Sequence, residues 1–188
     1  IGTGKQAFTQ VEAVLAVRPI RQVRVFSPNA EHRLQFAERV GKAFDVEVIA
    51  SPSVEAAVRD VPVITTVTRS MEAFLHGDMV ARGAHINAVG AILPGRVELA
   101  PDVVSRCTAL VSDSPAQAQK LSTELIQRLG TDPKNWTAVQ SLGAIVESKR
   151  SRQPDDDLTL MKALGTGVLD LSVGIDVYRK IVGRGKNV

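Results

Sequence analysis

Apolar residues along the chain fall into short, β-branched runs separated by stretches with an apolar position every three or four residues. Residues 22–26 alternate polar and apolar side chains and predict a strand. Residues 31–44 place Leu34, Ala37, Val40 and Gly41 at helical spacing. A second strand is expected at 46–50, and a short helix at 54–59 with Ser53 as its cap. The continuous apolar run 61–67 suits a strand covered on both faces, and 85–89 and 109–111 predict two more strands. Residues 116–129 predict a helix, with Asp113, Ser114 and Pro115 supplying cap and first-turn chemistry. Residues 141–146 fit neither period. Residues 158–164 and 168–181 predict helices, the first entered through the acidic cap Asp155-Asp156-Asp157.

Strands alternating with helical stretches of this length mean βαβ units and a parallel sheet, so the expected class is α/β. The charged, aperiodic stretch 149–157, which contains Pro154, is the best candidate for a loop leaving the sheet. The chain opens on Gly2-Thr3-Gly4-Lys5-Gln6-Ala7, of the form G-x-G-x-x-A, and helical periodicity follows in Ala7, Val11, Val14, Leu15 and Val17. This is the dinucleotide fingerprint. Its first glycine permits a tight turn, its second lets a pyrophosphate approach the backbone, and its third small residue lets helix and strand pack closely. The helix N-terminus presents open N–H groups and a positive dipole end to phosphates.

The fingerprint requires a preceding strand, and only Ile1 stands before it. The expectation is therefore a Rossmann-type doubly wound parallel sheet lacking its first strand, belonging to a longer polypeptide. After the strand at 22–26 come Ser27, Pro28 and Asn29, with no acidic residue before Glu31 and with Arg33 one turn on. An acidic residue there would hold the ribose 2′-hydroxyl of NAD. Two donors and an arginine suit a 2′-phosphate better, which favours NADP over NAD.

Composition narrows the picture mainly by exclusion. With 188 residues, 44% of them hydrophobic and 23% charged, the chain can build one core without staples and is neither collagenous nor low-complexity. No run of 18 apolar residues exists, so no membrane-spanning helix is expected. The single Cys107 rules out a disulfide framework, fits a reducing, cytoplasmic setting and has no basic neighbour besides Arg106, so a buried inert thiol is expected. No His, Asp and Glu grouping has metal-ligand spacing. The net charge of +3 is spread over the chain, with small basic groups at Lys149, Arg150 and Arg152 and at Arg179, Lys180, Arg184 and Lys186. Aromatic residues make up only 4%, so no nucleic-acid platform is expected. His85 reads as a core or strand-end histidine, and His32 and His76 as surface residues. Glu98 is as well suited to a salt bridge as to chemistry.

Several segments together resemble one family: the Gly2-to-Ala7 opening, Thr65-Thr66-Val67-Thr68, Gly83-Ala84-His85-Ile86-Asn87-Ala88-Val89-Gly90-Ala91, Pro94-Gly95-Arg96-Val97-Glu98-Leu99, and the stretch from Asp156 to Gly165. The chain is similar over nearly its whole length to the ornithine cyclodeaminase/mu-crystallin family, most specifically in His-Ile-Asn-Ala-Val-Gly. The resemblance implies a homodimer with a Rossmann domain, here 1–150, and a helical segment, here 151–188, returning toward a substrate and dimerisation domain built mainly from upstream residues. It implies that Gly2, Thr3, Gly4, Gln6 and Ala7 hold the pyrophosphate region. It further implies that Thr66, Val67 and Thr68 line the cofactor edge, that Val89 and Gly90 lie against the nicotinamide, and that Arg96 is a basic residue near the cofactor. Ser27, Asn29 and Arg33 complete the expected cofactor set.

Two departures bear on function. Cyclodeaminases of the family carry a catalytic aspartate two residues after the glycine of Asn-Ala-Val-Gly, and Ile92 stands there, unable to transfer a proton. The serine usual before the late Leu-Gly is Ala163. Both favour an NAD(P)-dependent oxidoreductase of a small amino or cyclic imino acid. An ornithine cyclodeaminase with internally recycled NAD and a non-catalytic NADP(H)-binding protein stay open as alternatives.

Overall fold

The computed structural model describes residues 1–149 and 151–184; Arg150 and Lys186 of the two basic groups lie outside them. In chain order the elements are α1 (Lys5–Val17), β1 (Gln22–Val25), α2 (Ala30–Phe44), β2 (Glu47–Ala50), α3 (Val54–Val58), β3 (Val63–Thr66), β4 (His85–Ala88), α4 (Pro101–Arg106), β5 (Cys107–Ser112), α5 (Pro115–Leu121), α6 (Thr123–Leu129), β6 (Val139–Ser141), α7 (Leu142–Ser148), β7 (Leu158–Lys162) and α8 (Gly167–Arg184). Every strand pairing is parallel: β1 pairs with β2, and a five-stranded sheet runs β3-β4-β7-β5-β6. The fold is the expected α/β class, a doubly wound parallel sheet of the Rossmann type, with no strand between β1 and β3 among the described residues.

That position is held at one end only. The Ile1 nitrogen donates to the Thr65 carbonyl at 2.7 Å, the Val67 N–H to the Ile1 carbonyl at 2.9 Å, and the Gly2 N–H to the Phe26 carbonyl at 2.8 Å. Ile1 and Gly2 thus join the C-terminal ends of β1 and β3. Behind them a cavity of about 350 Å³ separates the two strands, lined by apolar groups of Val11, Val14, Val23, Val25, Val63 and Val67.

Local chemistry sets most element ends as expected. Ser53 caps α3 by accepting from the Ala56 N–H. The stretch 116–129 forms two helices, because Ser122 leaves the first in an extended conformation and caps the second through the Leu125 N–H. Residues 141–146 fit neither period because they contain a strand end and a helix start, with Ser141 capping α7.

The expected helix at 158–164 is a correction: β7 is an interior strand, lying between β4 and β5. Leu158, Leu160 and Lys162 are buried, while Thr159 and Met161 face the other way, which is the period of two of a strand. Leu160 and Leu164 also happen to lie at helical spacing, and two flanking strands override that weak signal. The three preceding aspartates consequently cap no helix. Asp157 forms a bidentate pair with Arg106, at 2.9 and 2.8 Å, and Asp156 accepts from the Thr108 hydroxyl at 2.7 Å. The part of the chain after residue 150 is therefore not helical throughout, since it carries a central strand before α8.

The main core lies on one face of the five-stranded sheet, where Ile64, Ile86, Leu110, Leu158 and Leu160 meet Val103 and Val104 of α4 and Leu125 of α6. A smaller core gathers Ala7, Val25, Phe36 and Val40 beside β1. Cys107 is buried in the main core, and burial pushes its thiol up to about 12. At neutral pH it carries almost no thiolate, the reactive form. We expect no modification of the native protein by a disulfide reagent over hours, and stoichiometric modification once it is unfolded; rapid native labelling would contradict this burial.

Candidate functional site

In an open parallel sheet, ligands gather at the C-terminal ends of the strands, where the chain changes direction. The glycine turn lies at that edge. Gly2 has φ +110°, and a Cβ there would stand 2.6 Å from the Val67 carbonyl oxygen, so the position needs glycine twice over. Gly4 is the N-cap of α1 and supplies no side chain to cap it; a Cβ on Gly4 would meet nothing within 4 Å. Gly4, Lys5 and Gln6 are exposed, so the first turn of α1 is open to a ligand, as an anion site requires. Ala7 is buried in the smaller core against the β1 side, the close packing expected of the third small residue. Thr3 and Gly4 border a cavity of about 490 Å³ whose other walls are His32, Gln35, Phe36 and Arg39 of α2.

The group after β1 is partly committed to local structure. The Asn29 side chain caps α2 by accepting from the His32 N–H at 3.0 Å. Arg33 donates to the Ser27 carbonyl at 2.5 Å and packs over the Phe26 ring, 5.3 Å from its centre. Ser27 is buried. The guanidinium is thereby held beside the strand end, with further donors available.

The ends of β3 and β4 converge on a buried carboxylate. Glu98 accepts from the Thr66 hydroxyl at 2.9 Å, the Thr68 N–H at 2.6 Å, the Gly90 N–H at 3.0 Å and the Ala91 N–H at 3.2 Å. Glu98 itself is fastened from behind. Its N–H, like that of Leu99, donates to Glu124 of α6, and the other Glu124 oxygen meets the Lys162 ammonium at 2.6 Å. Val89 joins the same edge through its N–H to the Thr66 carbonyl at 2.8 Å. Arg96 is tied to the Arg69 carbonyl, one residue beyond Thr68.

Other candidates have structural partners. His85 lies between the Thr159 hydroxyl, 2.7 Å from Nδ1, and the Asn87 carbonyl oxygen, 3.1 Å from Nε2, on the sheet face away from the main core. Burial lowers its pKa below the ordinary imidazole value, against the hydrogen bond to Asn87. Asp113 is not the helix cap; Ser114 caps α5, while Asp113 accepts from the Leu164 and Gly165 N–H groups and anchors the turn into α8. His32 and His76 are exposed, and Ile92 is exposed at the same strand edge as Gly90. No group of metal-ligating side chains occurs among the described residues.

A family model described as the ornithine cyclodeaminase/mu-crystallin family matches residues 1–185. The chain belongs to this family. Among its curated relatives, the Δ1-pyrroline-2-carboxylate reductase of Bacillus cereus is 28% identical over 187 residues, covering 98% of this chain and 57% of the relative. The ketimine reductase mu-crystallin of Mus musculus is 34% identical over 178 residues, covering 95% of this chain and 53% of the relative. The structure of Thermococcus litoralis Δ1-pyrroline-2-carboxylate reductase in complex with NADH and L-proline matches with a TM-score of 0.89 at 28% identity, over 98% of this chain and 57% of that one. The chain thus spans somewhat more than half the length of these family members.

The segments 66–68 and 89–91 named from the sequence lie at one strand edge, and the contact that joins them is Glu98, which the sequence does not reveal. Glu98 makes no salt bridge among the described residues; it is a four-way hydrogen-bond acceptor. The Glu124–Lys162 pair is hidden when 158–164 is taken as a helix, because that period does not set Lys162 on a buried face. Read with period two, 158, 160 and 162 share a face, and a lysine on a buried face calls for a carboxylate.

Proposed function

We propose that this chain is the dinucleotide-binding part of an NAD(P)-dependent oxidoreductase acting on a small amino or cyclic imino acid. The observation that carries this reading is the convergence of a capless helix start with the 66–68 and 89–90 segments at one strand edge. The residues present suit a dinucleotide. The amides around Thr3, Gly4 and Gln6 would receive the pyrophosphate, Gly2 and Ala7 shape that turn, and Thr66, Val67, Thr68, Val89 and Gly90 would flank the nicotinamide, with Arg96 bracing the Thr68 segment. When bound, the nicotinamide supplies the hydride exchanged with the substrate's α-carbon. The protein's part is orientation and exclusion of water. Relatives named for pyrroline-2-carboxylate and ketimine reduction support the substrate class.

Ile92 counts against the cyclodeaminase alternative: its side chain has no proton to give or take at the strand edge where that chemistry would need one. NADP is the favoured cofactor, because Arg33 is held at the β1 end beside Ser27 and Asn29, and the first acidic residue after β1 is Glu31, in the first turn of α2. A homodimer, with α8 reaching toward a second domain, completes the reading.

The test is cofactor oxidation by the whole protein with pyrroline-2-carboxylate. Turnover supports the proposal. Ammonia release from ornithine without net cofactor change would replace it with the lyase, and tight cofactor binding with neither turnover would leave a binding protein. Arg33→Ala is expected to raise the KM for NADPH roughly tenfold, the loss of a charge-assisted contact, and that for NADH by less than half as much. Equal effects on both cofactors would argue against a 2′-phosphate at Arg33.

A further inference from the structure

We propose that Glu98 is the positioning residue of the nicotinamide end of the site, acting by locking the two backbone segments after β3 and β4 into one surface. This rests on the dinucleotide reading above. Four donors from two strand ends reach one carboxylate: Thr66 and Thr68 from one side, Gly90 and Ala91 from the other. Glu98 is fully buried, so water cannot substitute for it.

The closeness of the two segments is enforced as well as held. A Cβ on Gly90 would collide with the Thr68 backbone and with the Glu98 carboxylate, so the segments approach at glycine distance. The carboxylate in turn cannot drift. The Glu98 N–H is bound by Glu124, and the Glu98 carbonyl accepts from Phe74 and Leu75, both at 3.1 Å. Lys162, from the strand between β4 and β5, closes the chain of contacts by pairing with Glu124. The order runs Lys162, Glu124, Glu98, then the two segments.

Of these groups only Val67 reaches the opening turn, where its N–H donates to the Ile1 carbonyl and its carbonyl lies against Gly2; Lys162, Glu124 and Glu98 make their hydrogen bonds elsewhere. The adenine and pyrophosphate half of a dinucleotide would rest on Gly2, Gly4 and α2, whereas only the nicotinamide half would rest on the segments Glu98 holds. Glu98→Gln keeps size but turns one acceptor into an N–H donor facing N–H and O–H donors. The segments then separate, and the binding-competent arrangement becomes a minor one, which raises the apparent Kd by the inverse of its population.

The experiment measures Kd for NADH and for ADP-ribose, by fluorescence and calorimetry, in the whole protein and its Glu98→Gln variant. The expected result is at least roughly tenfold weaker NADH binding with ADP-ribose binding within about twofold of the original. Faster hydrogen exchange at the Thr68, Gly90 and Ala91 amides should accompany it, with the α1 amides unchanged. Equal weakening of both ligands, or of neither, would overturn the proposal. Should Glu98→Gln fail to fold, Thr66→Val removes one of the four bonds at nearly constant shape; the same NADH-only weakening, roughly threefold, is expected, and its absence overturns the proposal. If the unsubstituted protein binds neither of these ligands nor NADPH, the dinucleotide reading itself fails, a result distinct from equal binding by variant and original.

Discussion

Replacing Lys162 by methionine is expected to lower folding stability by about 3–5 kcal/mol, the loss that follows when one partner of a buried ion pair is removed. The Lys162 and Glu124 side chains are 0% and 1% exposed and meet at 2.6 Å. The two N–H groups on the other Glu124 oxygen, at 2.7 and 3.0 Å, do not neutralise a full charge. Without the ammonium the carboxylate either stays charged in an apolar core or takes up a proton, and both cost free energy. The double variant Lys162→Met/Glu124→Gln separates lost packing from the orphaned charge. Glutamine can still accept from the Glu98 and Leu99 N–H groups through its carbonyl oxygen, so the double variant should be more stable than Lys162→Met alone. Urea midpoints of the three proteins decide this. A single variant as stable as the original, or a double variant less stable than the single, would mean that the pair does not hold the core as the geometry indicates.

The same pair shows how far the sequence could be read. The N-terminal half of the fold is legible because its signals are local: a glycine turn, Ser53 before a short helix, and β-branched runs of four to seven residues. β7 is not, because a central strand is chosen by its neighbours. Residues 158–162 contain two leucines and a methionine, good helix formers, and only pairing with β4 and β5 makes the extended form the better one. The aspartates before it then looked like a cap, when Asp157 binds an arginine 51 residues away. Likewise, the cofactor edge could be assembled from motifs, but Glu98 as its fastener could not. Its four donors lie 7 to 32 residues distant on two different strand ends, a relation that no spacing within the chain expresses.

The two glycines of the opening turn should respond differently to the same change, one losing affinity alone and the other stability as well, and this is the most direct probe of the cofactor site. Gly4 has φ −75° and ψ −177°, ordinary extended backbone, and open space where a Cβ would stand. Gly4→Ala therefore asks little of the fold, at most about 1 kcal/mol from the poorer N-cap. If a pyrophosphate lies against that backbone, the methyl group occupies its place, and NADH affinity should fall roughly 10- to 100-fold, the cost of an overpacked contact. Gly2→Ala forces a methyl group to within 2.6 Å of the Val67 carbonyl at φ +110°, so it strains the junction between β1 and β3 before any ligand arrives. That variant should lose about 1–3 kcal/mol of stability together with cofactor affinity. Thermal melts and NADH titrations on both variants separate the two roles. A Gly4→Ala protein that binds NADH as tightly as the original would remove the pyrophosphate from this turn, because nothing within the protein itself requires glycine at that position.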